Sequence, residues 1–165
     1  KTSLLRILCG LSLPDSGDVL WDGSLIGQDP GRFQCDLAYI GHSNGIKMDL
    51  TARENLAFSL TMQSASASTS IDDAIAKAGL SGSGNLLCRL LSAGQRRRVA
   101  IARLYLTSAS LWVLDEPLGA IDADGIQDIE NALEEHLSRN GMVILTTHQP
   151  LHLSHGVVCT VQLGD

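Results

Sequence analysis

The sequence has no long apolar run and no excess of positive charge. Its apolar stretches are short, such as residues 111–114 and 142–145, whereas a helix that spans a bilayer needs about 20 apolar residues. We therefore expect no transmembrane segment within these 165 residues. The net charge of −6 argues against a nucleic-acid-binding protein, because such proteins usually present a basic face.

Paired cysteines and a secretory leader are also missing. The four cysteines are scattered and form no Cys-x-x-Cys pair, which predicts reduced, packed thiols in a cytosolic protein. The chain does not open with a basic start, an apolar run and a small-residue cleavage site. It begins at Lys1 rather than at a methionine, and we expect the natural product to begin further upstream.

Short β-rich segments alternate with helical ones, which predicts an α/β fold with a parallel or mixed sheet. The segments predicted as strands are residues 18–21 and 24–26, paired as a hairpin, and residues 37–40, 111–114, 142–146 and 157–163. The segments predicted as helices are residues 3–9, a helix that begins at Thr51, and residues 71–78, 92 to about 106, and 124–139. Residues 63–70, rich in Ser and Ala, are predicted to form a flexible link.

Lys1, Thr2 and Ser3 stand directly before the first predicted helix. In a phosphate-binding loop, a lysine in this position reaches the β- and γ-phosphates and the next hydroxyl binds Mg²⁺. The helix N-terminus adds backbone N–H groups that point at phosphate. The glycines that make such a loop specific are not in the sequence, so an ordinary surface tripeptide is the alternative.

Asp115 and Glu116 follow the apolar residues 111–114, which are typical of a strand buried on both faces. Sheets of this kind bind ligands at the carboxyl ends of their strands. Asp115 would then hold Mg²⁺ through water, and Glu116 would be the general base that polarises the attacking water. The alternative is a strand that ends in a solvated acidic turn.

Residues 91–95, Leu-Ser-Ala-Gly-Gln, start another predicted helix. Ser92 and Gln95 have the spacing of a capping box, and a capped helix is the simpler interpretation. A cap does not require Ala93 and Gly94, whose small size lets an anion approach the helix N-terminus. The arginines at residues 96–98 oppose the helix dipole, so they would face phosphate or an acidic partner, or else form a solvated face.

His148 follows the predicted strand at residues 142–146. A neutral imidazole at a strand end can hydrogen-bond a γ-phosphate and orient water, although a lone histidine in a loop is usually only solvated. Asp122 also allows two interpretations. It could belong to the candidate site, or it could only cap the helix predicted at residues 124–139.

Taken in order, these motifs resemble those of the ATP-binding subunits of ABC transporters. The matching segments are residues 1–3 (the end of Walker A), 91–95 (the signature motif, with Ala93 where Gly is usual), 111–117 (Walker B and the catalytic glutamate), 118–122 (the D-loop) and His148 (the switch histidine). The resemblance implies an α/β P-loop NTPase of ABC type over residues 1–165, with a mainly parallel central sheet that lacks its first strands. It also implies a helical signature subdomain over about residues 50–105.

The resemblance further implies ATP and Mg²⁺ as cofactors and a site shared between two copies of the chain. Glu116 and His148 would be catalytic, and Thr2 and Asp115 would hold the metal. The nucleotide-binding residues would be Lys1, Thr2, Ser3, His42, Ser92, Ala93, Gly94, Gln95 and Asp122.

A narrower resemblance is to the cytochrome c biogenesis ATPases called CcmA, the haem exporter ATP-binding proteins. The similar segments are residues 40–47, 50–56, 91–100 and 144–151. His42 stands where most ABC ATPases have a Gln that senses Mg²⁺, and the CcmA group is similar at this position. This resemblance implies a CcmB-like integral membrane permease as partner, with CcmC-like and CcmD-like proteins. The complex would act on the haem chaperone CcmE at the bacterial inner membrane, and this chain would be peripheral at the cytoplasmic face of that membrane.

Three other functions fit parts of the sequence. An ABC ATPase that serves a different permease would share the general ABC motifs. Only the segments of the narrower resemblance argue against it. An ABC ATPase of DNA repair would carry a long coiled coil between Lys1 and Ser92, where this chain has only short elements rich in Gly, Ser and Ala. A non-enzymatic nucleotide sensor would not need Asp115, Glu116 and His148 together.

Overall fold

The computed structural model describes residues 1–62, 69–154 and 156–162. The helices are α1 (Thr2–Leu8), α2 (Pro30–Asp36), α3 (Ala52–Thr61), α4 (Ile71–Lys77), α5 (Ala93–Ala102) and α6 (Ala123–Ser138), with 3₁₀ turns at Cys88–Leu90 and Arg103–Leu106. The strands are β1 (Leu20–Trp21), β2 (Ser24–Leu25), β3 (Leu37–Ile40), β4 (Leu111–Asp115) and β5 (Met142–Thr146). The alternation predicts an α/β fold correctly.

The central sheet is parallel and has the order β3-β4-β5. Its register pairs Ile40 with Leu114 and Asp115 with Thr146. Every residue of β4 is buried, as expected for a parallel strand covered on both faces. The three strands therefore end at one edge, and the chain leaves that edge at Gly41, Glu116 and Thr147.

Alternate residues of β4 pack into two different cores, because successive side chains of a strand point to opposite faces. Leu111 and Val113 lie in a cluster with Leu5 of α1. Trp112 and Leu114 lie in the opposite cluster, with Leu133 of α6. The sheet is thus a middle layer between α1 on one side and α6 on the other.

A third core joins α3, α4 and α5. Thr51 and Glu54 form the capping box that starts α3, as the sequence predicts. Helix α5 contributes Val99 to this helical core and Ile101 to the core under the sheet. Because one helix belongs to both cores, the helical region is packed onto the sheet. The subdomain boundaries at about residues 50 and 105 stay a prediction.

The predicted hairpin is present in shortened form. Asp22 and Gly23 link β1 to β2 with φ of +49° and +74°, the left-handed conformation that two-residue hairpin turns need. The helix α2 was not predicted. It starts with Asp29, whose side chain accepts a hydrogen bond from the Arg32 N–H at 3.1 Å, and with Pro30 in the first turn.

Two predicted elements differ from the structure. The helix predicted from residue 92 to about 106 ends as α5 at Ala102 and continues as a 3₁₀ turn. The strand predicted at residues 157–163 is wrong for residues 157–162, which have no regular structure. Val157 and Val161 are exposed there. Residues with a high β propensity form a strand only where a neighbouring strand pairs with them. Of the predicted link at residues 63–70, residues 63–68 lie outside the described residues.

Within the described part of the chain, no helix combines the length and the apolar character needed to cross a membrane.

Removal of the Leu133 side chain tests the core beneath the sheet. Leu133 is 1% exposed and Leu13 is 93% exposed, so the same substitution probes a core position and a surface position. We expect Leu133→Ala to lower the free energy of unfolding by about 2–5 kcal/mol. Leu13→Ala should change it by about 0.5 kcal/mol or less. Urea unfolding followed by circular dichroism measures both, and equal effects would contradict the described core.

His136 gives the stability a pH dependence. Its ring stacks on Trp112 with a centroid distance of 3.9 Å, and burial lowers the pKa of His136. The unfolded chain therefore takes up this proton more readily than the folded one. The stability that neutral His136 contributes is fully present above about pH 6.5, the usual pKa of an unfolded histidine. This stability is lost as the pH falls through the lower pKa that His136 has in the folded chain. We expect His136→Phe, which keeps the stack, to flatten the fall in urea midpoint below pH 6.5; an unchanged slope would contradict this role.

Candidate active site

Asp115 is the buried carboxylate at the end of β4, and two hydroxyl groups hold it. It is 1% exposed. The Thr2 hydroxyl donates a hydrogen bond to Asp115 Oδ2 at 2.8 Å, and the Thr146 hydroxyl donates to Oδ1 at 2.8 Å. Thr2 begins α1 and Thr146 ends β5. The structure thus brings the first residues of the chain to the strand end, and a solvated acidic turn is the wrong interpretation of Asp115.

Glu116 turns sharply away from the strand. Its φ is +51°, in the left-handed region that a residue with a Cβ rarely adopts. Its backbone N–H points at Thr146, with the carbonyl oxygen and the hydroxyl oxygen both at 3.1 Å. The side chain remains 27% exposed, so the carboxylate faces outward beside the buried Asp115.

The His148 ring lies between Lys1 and Glu116. Its Nε2 is 3.2 Å from Lys1 Nζ and 3.4 Å from Glu116 Oε1. Lys1 and His148 are both exposed. Lys1, Thr2, Asp115, Glu116 and His148 therefore form one group at the carboxyl edge of the sheet, where parallel sheets bind ligands.

Thr2 and Asp115 suit a magnesium ion chemically. They place a hydroxyl oxygen and a carboxylate oxygen next to each other, and Mg²⁺ prefers oxygen ligands. Among the residues the structure describes, no three His, Cys, Asp or Glu side chains are grouped to hold a metal. An ion at this place would need oxygens from a phosphate and from water, as Mg²⁺ does in nucleotide sites.

The helix α5 begins with the predicted capping box. Ser92 Oγ accepts a hydrogen bond from the Gln95 N–H at 3.1 Å, and Gln95 Oε1 accepts from the Ser92 N–H at 2.9 Å. Gln95 also donates from Nε2 to Ser83 Oγ at 3.3 Å. Ser92 and Ala93 are exposed, so the helix end is open to solvent. In the described chain, no hydrogen bond or ion pair joins residues 92–95 to the group around Asp115.

Gly94 lies against the loop that follows β4. A Cβ built on Gly94 would stand 2.7 Å from the carbonyl oxygen of Ala120, a distance that real Cβ atoms essentially never show. Ala120 itself has a φ of +62°. The small size of Gly94 is therefore required by this close approach within the chain.

Asp122 is the N-cap of α6, which confirms the cap interpretation within this chain. It accepts a hydrogen bond from the Gly125 N–H at 3.2 Å and forms an ion pair with Arg98. The hydrogen bond from Arg98 is the main cause that lowers the pKa of Asp122. Arg98 also pairs with Asp128 at 3.0 Å. A role for Asp122 toward a second copy stays a prediction.

Two other predicted nucleotide-binding residues are exposed and make few contacts. Ser3 lies in the first turn of α1. His42 lies two residues after the end of β3, and within the described residues its side chain makes no hydrogen bond or ion pair. Their roles also stay predictions.

Arg97 is a residue of the site that the sequence pattern does not single out. Arg97 is 5% exposed, and its guanidinium reaches the end of β4, where it donates from Nη2 to the Asp115 carbonyl oxygen at 2.7 Å. Burial lowers the pKa of Arg97, and the charge of Asp115 opposes that shift. The solvated interpretation of residues 96–98 is therefore wrong for Arg97, and also for Arg98, whose side chain is only 13% exposed. No local signal separates these arginines, because the distinction arises from tertiary packing.

Comparison with known proteins gives a family match. The family model described as ABC transporter matches residues 1–119. A relative from Aliivibrio fischeri, named cytochrome c biogenesis ATP-binding export protein CcmA, is 44% identical over all of this chain and 81% of its own length. Proteins of the same name share 49% identity in Nitrosomonas europaea, over 93% of this chain and 73% of theirs, and 45% in Escherichia coli K12, over 99% and 77%.

Solved structures give the same fold. A structure described as a dimeric post-hydrolysis state of the ATP-binding cassette MJ0796, bound to ADP and Pi, superposes with a TM-score of 0.78. It is 23% identical and covers 90% of this chain and 69% of its own. The ATP-binding subunit of an ABC transporter matches with a TM-score of 0.75 and 18% identity, over 90% and 63%. By fold, family model and close relatives, the chain belongs to the ABC transporter family and, within it, to the CcmA group of cytochrome c biogenesis ATP-binding proteins.

Proposed function

We propose that this chain hydrolyses ATP to drive an ABC membrane complex in cytochrome c maturation. The observation that carries the proposal is the hydrogen bond of 2.8 Å between Thr2 and Asp115. It brings the Walker A hydroxyl and the Walker B carboxylate together, although 112 positions lie between them in the sequence. Glu116 and His148 stand beside this pair, which supports a hydrolase rather than a nucleotide sensor.

Each residue of the group has a distinct part in the reaction. Lys1 brings a positive charge to the β- and γ-phosphates. Thr2 and Asp115 would hold Mg²⁺, which when bound neutralises charge that develops on the phosphate oxygens. Glu116 accepts a proton from the attacking water while the water oxygen bonds to the γ-phosphorus and the bond to the β-phosphate oxygen breaks. His148, next to Glu116, orients the water and the γ-phosphate.

The complete site requires a second copy of the chain. The open start of α5, with Ser92, Ala93 and Gly94, would meet the γ-phosphate held by the partner copy, and Asp122 would face the same interface. The exposure of Ser92 and Ala93 supports this arrangement, because a helix N-terminus with free N–H groups binds phosphate. Hydrolysis then waits for closure of two copies around two ATP molecules, and closure is the two-state step that moves a membrane partner.

The names of the relatives support a membrane partner. They are called ATP-binding export proteins of cytochrome c biogenesis. The partner for this chain would be a CcmB-like permease, with CcmC-like and CcmD-like proteins, acting in haem export or in release of the haem-loaded chaperone CcmE. The chain would then be peripheral, at the cytoplasmic face of the bacterial inner membrane.

Glu116→Gln in the full-length protein tests the general base. We expect at least about a 100-fold loss of ATP turnover, in the range that general bases contribute, with ATP binding retained. The amide keeps the size of the side chain but cannot accept the proton. Phosphate release measures turnover, and size-exclusion chromatography with Mg²⁺ and ATP should show a trapped dimer.

Glu135→Gln is the matched control, because Glu135 makes partly exposed ion pairs with Lys77 and Arg139, away from the strand ends. It should hydrolyse ATP at the wild-type rate. Normal turnover in Glu116→Gln would remove Glu116 from the base role.

A mixing experiment tests the shared site. Ala93→Glu adds an acid at the first position of α5, where the helix dipole favours it, but places negative charge against the partner's phosphate. Alone, Ala93→Glu and Glu116→Gln should each be inactive. Mixed, they form some dimers in which one site has both an intact Ala93 and an intact Glu116. We expect partial recovery of phosphate release on mixing, and no recovery would argue that each chain uses its own α5.

A further inference from the structure

Arg97 is a buried cation whose five N–H groups all have acceptors. Its hydrogen bonds run from Nη2 to the carbonyl oxygens of Asp115 (2.7 Å) and Glu116 (3.0 Å), from Nε to that of Pro117 (3.4 Å), and from Nη1 to that of Gly41 (2.9 Å) and to Asn44 Oδ1 (3.1 Å). The planar fork of an arginine carries five donors in fixed directions. Each of them is used here, as the burial of a charged group requires.

The acceptors belong to two segments that leave the same edge of the sheet. One segment is the run of carbonyls at residues 115–117, and the other is the loop at residues 41–44 that contains His42. Arg97 itself lies on α5, five residues after Ser92. One side chain therefore joins the helix that starts with the signature motif to both loops beside the candidate active site.

The backbone of Glu116 needs such support. Its φ of +51° is a disfavoured conformation, which persists only where the surroundings hold it. The Glu116 N–H donates to Thr146, and the carbonyl oxygen of Glu116 accepts from Arg97 at 3.0 Å. Both sides of the residue are thus fixed, and this conformation directs its carboxylate toward His148.

The neighbouring arginines do not share this role. Arg96 donates to the carbonyl oxygen of Leu91 at 2.6 Å, within its own helix start. Arg98 pairs with Asp122 and Asp128. In the described chain, neither of them hydrogen-bonds the backbone of Glu116.

We infer that Arg97 is a positioning residue for ATP hydrolysis: it holds Glu116 in its reactive orientation relative to α5 and to the loop that contains His42. This inference rests on the proposed function. Arg97 does not touch the nucleotide and acts through Glu116. A lysine cannot replace it, because a single ammonium group has three donors and cannot reach oxygens spread over three residues and a second loop.

Arg97→Lys in the full-length protein is the first test. Because misplacement of a catalytic group by about 1 Å can cost about 100-fold, we expect kcat to fall by about 10- to 100-fold while KM for ATP stays within about twofold. Arg139→Lys, at an exposed ion pair of α6, should leave both constants unchanged. Leu133→Ala is the stability control, and it should keep more kcat than Arg97→Lys when the two are compared at an equal fraction folded.

A double-mutant cycle separates positioning from a general structural effect. If Arg97 acts through Glu116, adding Arg97→Lys to Glu116→Gln should not lower the residual single-turnover rate further. An additional loss of the same size in both backgrounds would overturn the inference, and so would a wild-type kcat in Arg97→Lys.

A second variant covers the case in which Arg97→Lys does not fold. Asn44→Ala removes one of the five acceptors and leaves Arg97 in place, so we expect kcat to fall by a few-fold when it is compared with the wild type at an equal fraction folded. A wild-type kcat in Asn44→Ala would then overturn the inference. A wild-type protein without ATPase activity, or an unimpaired Glu116→Gln, would instead overturn the proposed function, so the two failures are distinguishable.

Discussion

The burial of one carboxylate, Asp115, constrains the rest of the site. A charged group taken out of water is costly unless hydrogen bonds replace its hydration. Thr2 and Thr146 supply them, one to each carboxylate oxygen. The start of α1, the end of β4 and the end of β5 must therefore lie next to one another. Glu116 comes one position after Asp115 and His148 two positions after Thr146, so the same constraint places them together.

The helical region is attached to the sheet by polar as well as apolar contacts. Helix α5 packs into two cores, through Val99 on one face and Ile101 on another. Apolar packing alone allows small sliding between layers. The hydrogen bonds of Arg97 to the ends of the sheet fix direction as well as distance, because each acceptor must lie along a particular N–H bond.

Most of the fold was predictable because the relevant signals are local. The apolar runs give β4 and β5, the capping boxes give the starts of α3 and α5, and Asp22 with Gly23 gives the hairpin turn. The grouping of the site residues was also predictable, because the carboxyl ends of parallel strands meet at one edge of a sheet. The start of helix α2 also has a local signal, the cap residue Asp29 followed by Pro30. The role of Arg97 and the lack of regular structure at residues 157–162 depend on distant partners, which a local pattern does not contain.

The close approach of Gly94 to the Ala120 carbonyl has a consequence for assembly. It clamps the first turn of α5 onto the loop that leads to Asp122, and Arg98 ties Asp122 back to the same helix. These two contacts fix the first turn of α5 and the start of α6 relative to each other. A second copy that docked against these two segments would therefore meet a preformed surface. The conformational entropy of this surface is already lost when the single chain folds, so docking would not have to lose it again.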